Sequence, residues 1–206
     1  MIRILVGKNE EVLNEESFKN IIHGFKNIYV DIGTGSGTYV YKKAIKNPDI
    51  FFIGMDPVKE NMIEISSKAQ KKYKKIHNIL FIISAIENIP SFIADEVTVY
   101  FPWGILLEAI VKPIESMMQK IIYIAKDNAS FDFITTYSED FDGNQIKNRE
   151  LPEINLEYFG KEEYSEKLKK MGLIMQHIYE LSNNELKNFN SQWAKKLAFG
   201  KSRLFF

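Results

Sequence analysis

Short apolar runs alternate with amphipathic stretches over most of the chain. The runs are continuous, as in strands buried on both faces of a parallel sheet, and they cover residues 28–32, 50–57, 79–83, 97–100 and 130–135. Between them, apolar residues recur at helical spacing in residues 38–46, 58–73 and 106–125. Strands that alternate with helices in this way predict an α/β fold, with ligands bound at the carboxyl ends of a mostly parallel sheet.

The two ends of the chain have a different pattern. Residues 2–13 alternate around a turn and predict a small N-terminal β-hairpin, followed by a helix that Asn14 can cap. Residues 173–181 and 197–206 predict a final antiparallel pair of strands, which follows a helix at 161–171. We therefore expect a seven-stranded, mostly parallel sheet with an antiparallel C-terminal strand.

The remaining stretches are polar and irregular. Residues 136–157 and 182–200 predict linkers, and long loops above strand ends tend to carry function. At 206 residues the chain predicts one domain, from 1 to 206.

Composition excludes several classes of protein. The chain has no cysteine and only three scattered histidines, so we expect neither disulfides nor a metal site. It has no run of about 18 apolar residues and no signal-peptide core, which fits a cytoplasmic protein that does not bind membranes. Lys+Arg and Asp+Glu are both 27, so net charge gives no argument for nucleic acid.

A glycine-rich turn follows the first parallel strand. Asp31 precedes Gly33, Gly35 and Gly37, and Thr38 stands where the dinucleotide fingerprint has its third glycine. A carboxylate there repels pyrophosphate but suits the ammonium group of an amino acid. The pattern favours S-adenosylmethionine (SAM) over NAD, and the alternative is a tight turn without a ligand.

Two further carboxylates follow the next strands. Asp56 comes 25 residues after Asp31, about where α/β nucleotide sites have a ribose-binding acid, although an Asp before Pro57 is often a helix cap. Glu87 follows the third strand. The ordered set matches the class I, Rossmann-like SAM-dependent methyltransferases.

The two tryptophans suggest the acceptor. Trp103 follows the fourth strand, and Trp193 lies in the last linker. Two facing indoles can clamp a flat base and stabilise a cationic one, although either tryptophan could instead pack in the core.

Three segments resemble the 16S rRNA (adenine-1408-N1) methyltransferases, which confer aminoglycoside resistance. They are Phe101-Pro102-Trp103-Gly104, Thr135-Thr136-Tyr137-Ser138 and the segment from Ser191 to Gly200. The resemblance runs nearly end to end. It implies a monomeric enzyme that docks on the assembled 30S subunit and flips adenine 1408 out of the decoding-site helix of 16S rRNA.

The resemblance also implies residue roles. The SAM-binding residues would be Asp31, Gly33, Thr34, Gly35, Asp56, Pro57, Ala85, Ile86, Glu87 and Tyr100. The residues at the target base would be Phe101, Pro102, Trp103, Ser191 and Trp193. The RNA-binding residues would be Lys68, Lys71, Lys72, Gln145, Arg149, Lys196, Lys201 and Arg203, although lysines on a helix are usually only a solvated face.

The chain departs from the family pattern at a few positions. Lys196 and Lys201 stand where arginines are typical, and lysine cannot form a bidentate phosphate fork. Gln145 stands where a glutamate is expected, and Ile105 where a threonine often follows the tryptophan segment. These departures concern positioning rather than the reaction.

Two other functions remain open from the sequence. One is a SAM-dependent methyltransferase on another RNA, such as a tRNA guanine-N7 enzyme, which shares the cofactor half. The other is a non-catalytic RNA-binding scaffold that kept the SAM pocket.

Overall fold

The computed structural model describes residues 1–86 and 94–189. They belong to two units, one formed by residues 1–100 and 123–132 and the other by residues 101–122 and 133–206. The single domain predicted from the sequence stays a prediction.

A seven-stranded sheet is the centre of the first unit. Its strands are β1 (Ile2–Val6), β2 (Asn9–Leu13), β3 (Asn27–Ile32), β4 (Ile50–Asp56), β5 (Ile79–Ile83), β6 (Ala94–Tyr100) and β7 (Ala125–Ile134), the last two residues of β7 belonging to the second unit. They lie in the order β2-β1-β5-β4-β3-β6-β7. β3 is parallel to β4 and β6, and β4 is parallel to β5.

The N-terminal hairpin is part of this sheet. β1 pairs antiparallel with β2 and, on its other side, antiparallel with β5. The Ser66 hydroxyl fixes the hairpin turn, because it accepts from the Gly7 amide (2.9 Å) and donates to the Leu5 carbonyl (2.9 Å). The predicted α/β fold with a mostly parallel seven-stranded sheet and an N-terminal hairpin is confirmed.

Three helices belong to the first unit. They are α1 (Glu15–Ile22), α2 (Thr38–Lys46) and α3 (Lys59–Ala69). Asn14 caps α1 as predicted, since its side chain accepts from the Ser17 amide. The main core cluster joins aliphatic and aromatic side chains of the sheet to α2 and α3, among them Tyr29, Phe52 and Met62.

The other helices follow β6. They are α4 (Gly104–Val111), α5 (Glu115–Tyr123), α6 (Glu139–Arg149), α7 (Leu156–Phe159), α8 (Glu162–Lys170) and α9 (Asn183–Asn188). α4 is mostly buried, and the last carbonyls of a helix have no partner within the helix. Tyr158 and Tyr164 supply partners: their hydroxyls donate to the carbonyls of Val111 (3.0 Å) and Ile110 (2.9 Å). None of the helices in residues 1–86 and 94–189 is long and apolar enough to cross a bilayer.

Two predicted elements are wrong. The helix predicted at 106–125 is divided into α4 and α5, because Pro113 has no amide hydrogen with which to continue a helix. The loop predicted at 136–157 contains α6 and the start of α7. The sequence of α6 has little amphipathic pattern, and contacts with α4, described below, hold it in place.

The C-terminal strand pair is not seen as predicted. No strand is assigned to residues 173–181, and α9 lies inside the predicted 182–200 linker. The partner strand predicted at 197–206 lies outside the described residues.

We expect Gly37→Ala to lower the free energy of unfolding by roughly 2–4 kcal/mol, measured by chemical denaturation. Gly37 has φ of 72°, and a Cβ on it would lie 2.4 Å from the Phe81 ring. Gly35→Ala is the matched control, because Gly35 has φ of 57° in the same turn but nothing within 4 Å of its Cβ position. Gly35→Ala should lower the free energy of unfolding by only about 1–2 kcal/mol. Equal losses in the two variants would contradict the packing argument.

Candidate functional site

The glycine-rich turn lies at the carboxyl ends of β3 and β4. The amides of Gly33 and Thr34 both donate to the Met55 carbonyl, at 2.8 and 2.9 Å. Gly33, Gly35 and Gly37 all have positive φ, which side chains rarely tolerate. The turn therefore has no side chain at three of its five positions immediately before α2.

Asp56 ties this turn to the next helix. Its carboxylate accepts from the amides of Gly35 and Val58, each at 2.9 Å, and from the Asn61 side chain at 3.5 Å. Burial raises the pKa of Asp56, while the hydrogen bonds from Val58 and Gly35 lower it. Asp56 thus joins the turn to Val58, the residue directly before α3. The ribose role of Asp56 stays a prediction. A carboxylate has further lone pairs with which it could accept hydrogen bonds from ribose hydroxyls.

Asp31 is a buried carboxylate at the end of β3, 4% exposed. Thr98 donates to its Oδ1 at 2.7 Å. Desolvation raises the pKa of Asp31 to about 6, while the nearby hydroxyls of Thr34 and Thr98 lower it. In the described part of the chain no ion pair involves Asp31. An ammonium group would supply the missing positive charge, so the site fits the amino-acid part of SAM.

The other predicted cofactor residues lie at or directly after the ends of β4, β5 and β6. Tyr100 ends β6, donates to Asp132 Oδ2 at 2.6 Å and packs edge-on against Tyr39. Burial is the main cause that raises the pKa of Tyr100. Pro57 is exposed after β4, and Ala85 and Ile86 follow β5, with Ile86 buried.

The tryptophan segment belongs to the second unit. Phe101 has φ of 54°, which is rare and strained for a bulky residue. Its amide donates to the Ile134 carbonyl at 2.7 Å, and its ring packs edge-on against Phe189. Pro102 is buried, but Trp103 is 56% exposed, so Trp103 does not pack in the core. Local backbone strain that holds an exposed indole is typical of a functional segment.

A polar network joins α6 to α4 directly after Trp103. The Gly104 amide donates to Gln145 Oε1 at 3.0 Å, and Arg149 pairs with Glu108 at 2.8 Å. Lys112 also pairs with Glu108, and it donates to the Arg149 carbonyl. The hydrogen bond from Arg149 holds the pKa of Glu108 below its usual range. Gln145 and Arg149, predicted to bind RNA, therefore hold α6 against the start of α4; their RNA role stays a prediction.

The predicted lysines lie at the end of α3. Lys68 is on the helix with its ammonium 5.5 Å from the centroid of the Tyr41 ring. Lys71 and Lys72 are exposed beyond the helix, which ends at Ala69 rather than at the predicted residue 73. The remaining predicted site residues lie outside the described residues: Glu87, Ser191, Trp193, Lys196, Lys201 and Arg203.

Sequence reasoning missed three residues of the site. Thr98 donates a hydrogen bond to Asp31, and Asp132 accepts one from Tyr100. Glu108 pairs with Arg149. Thr98 had a signal, because it is a polar residue in the middle of the apolar fourth strand. Asp132 and Glu108 had none, since their partners are about 30 to 40 residues away in the chain.

Comparison with known proteins points to one family. The model of the NpmA family, 16S rRNA (adenine(1408)-N(1))-methyltransferase, matches residues 3–206. A 16S rRNA (adenine(1408)-N(1))-methyltransferase of Escherichia coli is 41% identical over 208 residues, which cover 98% of this chain and 95% of that protein.

Solved structures agree. One described as an antibiotic-related methyltransferase has a TM-score of 0.87 at 38% identity and covers 98% of this chain and 96% of its own. A tryptophan-to-alanine mutant of the 16S rRNA (adenine(1408)-N(1))-methyltransferase from Catenulisporales acidiphilia, solved with its cosubstrate SAM, has a TM-score of 0.87 at 26% identity. It covers 100% of this chain and 94% of its own.

We expect Asp31→Asn to raise the free energy of unfolding of the ligand-free protein at pH 7.5 by up to about 3 kcal/mol. The carboxyl group is charged at this pH, and its pKa of about 6 shows that folding opposes the charge. Because the folded state binds the proton more tightly, the difference should shrink as pH falls from 6 towards 4. Denaturant titrations at several pH values measure it.

The exposed Asp49→Asn is the control and should change little at any pH. An Asp31→Asn protein that is less stable than the wild type at pH 7.5 would contradict the assignment of Asp31 as a buried charge without an ion-pair partner.

Proposed function

This chain belongs to the family of 16S rRNA (adenine(1408)-N(1))-methyltransferases, and we propose that it methylates N1 of adenine 1408 in the assembled 30S subunit and thereby confers aminoglycoside resistance. It is a SAM-dependent rRNA adenine-N1 methyltransferase. The observation that carries the proposal is the family match, which spans residues 3–206 and includes both tryptophan segments. We expect a monomer that acts in the cytoplasm, where 30S subunits are.

The cofactor half is proposed to lie at the ends of β3, β4 and β5. Asp31 binds the methionine ammonium group, and Asp56 binds the ribose hydroxyls with lone pairs that the Gly35 and Val58 amides leave free. The turn from Gly33 to Gly35 lets the backbone approach the cofactor closely, because its two glycines carry no side chain. Ala85 and Ile86 border the cofactor adenine, together with Glu87. The buried Asp31, which has no ion pair within residues 1–86 and 94–189, supports this assignment.

SAM supplies a methyl group on a sulfonium, which the acceptor attacks in line. Adenine N1 has a free lone pair at neutral pH, so the protein needs no strong general base. Its work is to position the base and exclude water. Methylation makes the base cationic, and aromatic faces stabilise a developing positive charge.

Trp103 and Trp193 are proposed to stack on the two faces of the target adenine. Adenine N1 is buried inside a base-paired stack, so the base must flip out of the helix to react. The exposed indole of Trp103, which follows the strained Phe101 and the buried Pro102 in the chain, supports this role. Ser191 is proposed to lie at the edge of the base.

RNA binding is proposed to rely on local positive charge, because the whole chain has no net charge. Lys68, Lys71 and Lys72 would contact phosphates, which positions the enzyme without reading sequence. Lys196, Lys201 and Arg203 are proposed to do the same in the last linker. Gln145 and Arg149 would act at the RNA together with their observed role of holding α6 against α4.

The decisive assay is primer extension on 16S rRNA from 30S subunits incubated with the protein and SAM. A methyl on adenine N1 blocks Watson–Crick pairing, so we expect a stop one nucleotide before 1408 that depends on SAM. A stop on 30S subunits and none on naked rRNA supports the proposal. A SAM-binding protein that gives no stop would contradict it.

We expect Trp103→Ala to lower the rate of this methylation by roughly 10- to 100-fold, because one stacking contact is worth about 1–3 kcal/mol. SAM binding, measured by isothermal titration, should stay nearly unchanged. Trp103→Phe keeps an aromatic face, so its methylation rate should fall less. Tyr123→Ala removes another exposed ring, 69% exposed, as a control and should keep full activity. Full activity in Trp103→Ala would contradict the clamp.

We expect the double variant Lys71→Ala/Lys72→Ala to bind 30S subunits more weakly and with a shallower salt dependence. Each lost phosphate contact should reduce the slope of log K against log salt by roughly 0.7–0.9. Binding across a salt series measures this, and SAM affinity should not change. Lys169→Ala/Lys170→Ala removes two lysines from α8 as the matched control. Equal slopes for both double variants would exclude a phosphate role for Lys71 and Lys72.

A further inference from the structure

A chain of three buried polar groups connects β3 and β6. The Tyr29 hydroxyl donates to Thr98 Oγ1 at 2.9 Å, and Thr98 Oγ1 donates to Asp31 Oδ1 at 2.7 Å. Thr98 lies directly opposite Asp31 in the β3–β6 register. The exposed fractions of Tyr29, Thr98 and Asp31 are 2%, 0% and 4%, so water does not compete for these bonds.

The direction of this chain is set by the charge at its end. An ionised carboxylate can only accept, so the single proton of the Thr98 hydroxyl goes to Asp31. Thr98 then accepts from Tyr29, whose proton is retained because burial raises the pKa of the phenol. Both donors thus support the charged form of Asp31.

We propose that Thr98, with Tyr29 behind it, is a positioning residue of the SAM site. It holds Asp31 ionised and occupies Oδ1, which leaves Oδ2 to pair with the ammonium group of SAM. The inference rests on the proposed cofactor role of Asp31.

The surroundings of Asp31 explain why such a donor is needed. Desolvation raises the pKa of the carboxyl, and the charge of Asp56 on β4 raises it further. Lys43 on α2 and the hydroxyl of Thr34 act in the opposite direction, together with Thr98. The balance lies at a pKa of about 6. Without the Thr98 proton, a larger share of Asp31 is neutral near pH 7, and a neutral carboxyl cannot pair with an ammonium.

The test compares Thr98→Val, which keeps the shape but removes the hydroxyl, with Thr98→Ser, which keeps the hydroxyl. The first measurement is an NMR titration of the Asp31 carboxyl carbon in cofactor-free protein. We expect a midpoint near pH 6 in the wild type, a higher midpoint in Thr98→Val and a return towards the wild type in Thr98→Ser. Spectra of the three proteins confirm that the fold is kept.

The second measurement is SAM affinity by isothermal titration between pH 5.5 and 8.5, a range that begins just below the Asp31 midpoint near pH 6 and extends well above it. Thr98→Val should bind roughly tenfold more weakly at pH 7, because a hydrogen bond to a charged group is lost. The acid limb of the affinity curve should move to higher pH. Thr98→Ser should restore both the SAM affinity and the pH at which affinity falls. If Thr98→Val lost affinity only because the structure was disturbed, restoring the hydroxyl would not return the pH dependence to that of the wild type.

Tyr29→Phe provides a second route if Thr98→Val does not fold. It removes the donor to Thr98 together with the interaction of the same hydroxyl with Tyr39, and it should move the Asp31 midpoint in the same direction by a smaller amount. Unchanged midpoints in the folded variants would overturn the proposal. A midpoint that moves while SAM affinity stays constant at every pH would overturn the positioning role and the cofactor role of Asp31. The methyltransferase function would not fall with it, because primer extension measures that separately.

Discussion

A charge buried without an ion pair at the end of β3 is the constraint on which the cofactor half depends. Asp31 is almost fully enclosed, and the part of the chain that the structure describes offers it hydrogen bonds but no ion pair. Such a charge costs stability in the free protein, as its raised pKa shows. The same cost favours binding of a cation beside Asp31.

The surrounding structure keeps that charge in position. The glycine turn closes over the end of β4 through the Met55 carbonyl, and Asp56 joins the turn to α3. Asp56 thus has a structural role, whereas Asp31 is buried without an ion pair among the described residues. In the second unit, Gln145 and Arg149 hold α6 against α4, which begins directly after Trp103.

The correct predictions and the wrong ones have different physical origins. The parallel strands and the turn at Gly33 were predictable because each depends on neighbouring residues: continuous apolar runs, and glycines where φ is positive. The division of the helix at Pro113 could also have been predicted from the sequence, but the apolar pattern on both sides of the proline favoured one continuous helix. α6 was missed because its stability comes from contacts with residues about 40 positions away, such as Glu108.

The sequence by itself determined the fold class, the cofactor and the family, since these follow from local patterns and from motifs such as the one around Trp103. Only the tertiary structure decided what surrounds each charge. Thr98 donates to Asp31 because β3 and β6 are neighbours in the sheet, although 67 residues separate them in the chain. Burial and hydrogen bonding between distant residues set the protonation of a carboxyl group, and no local pattern encodes either of them.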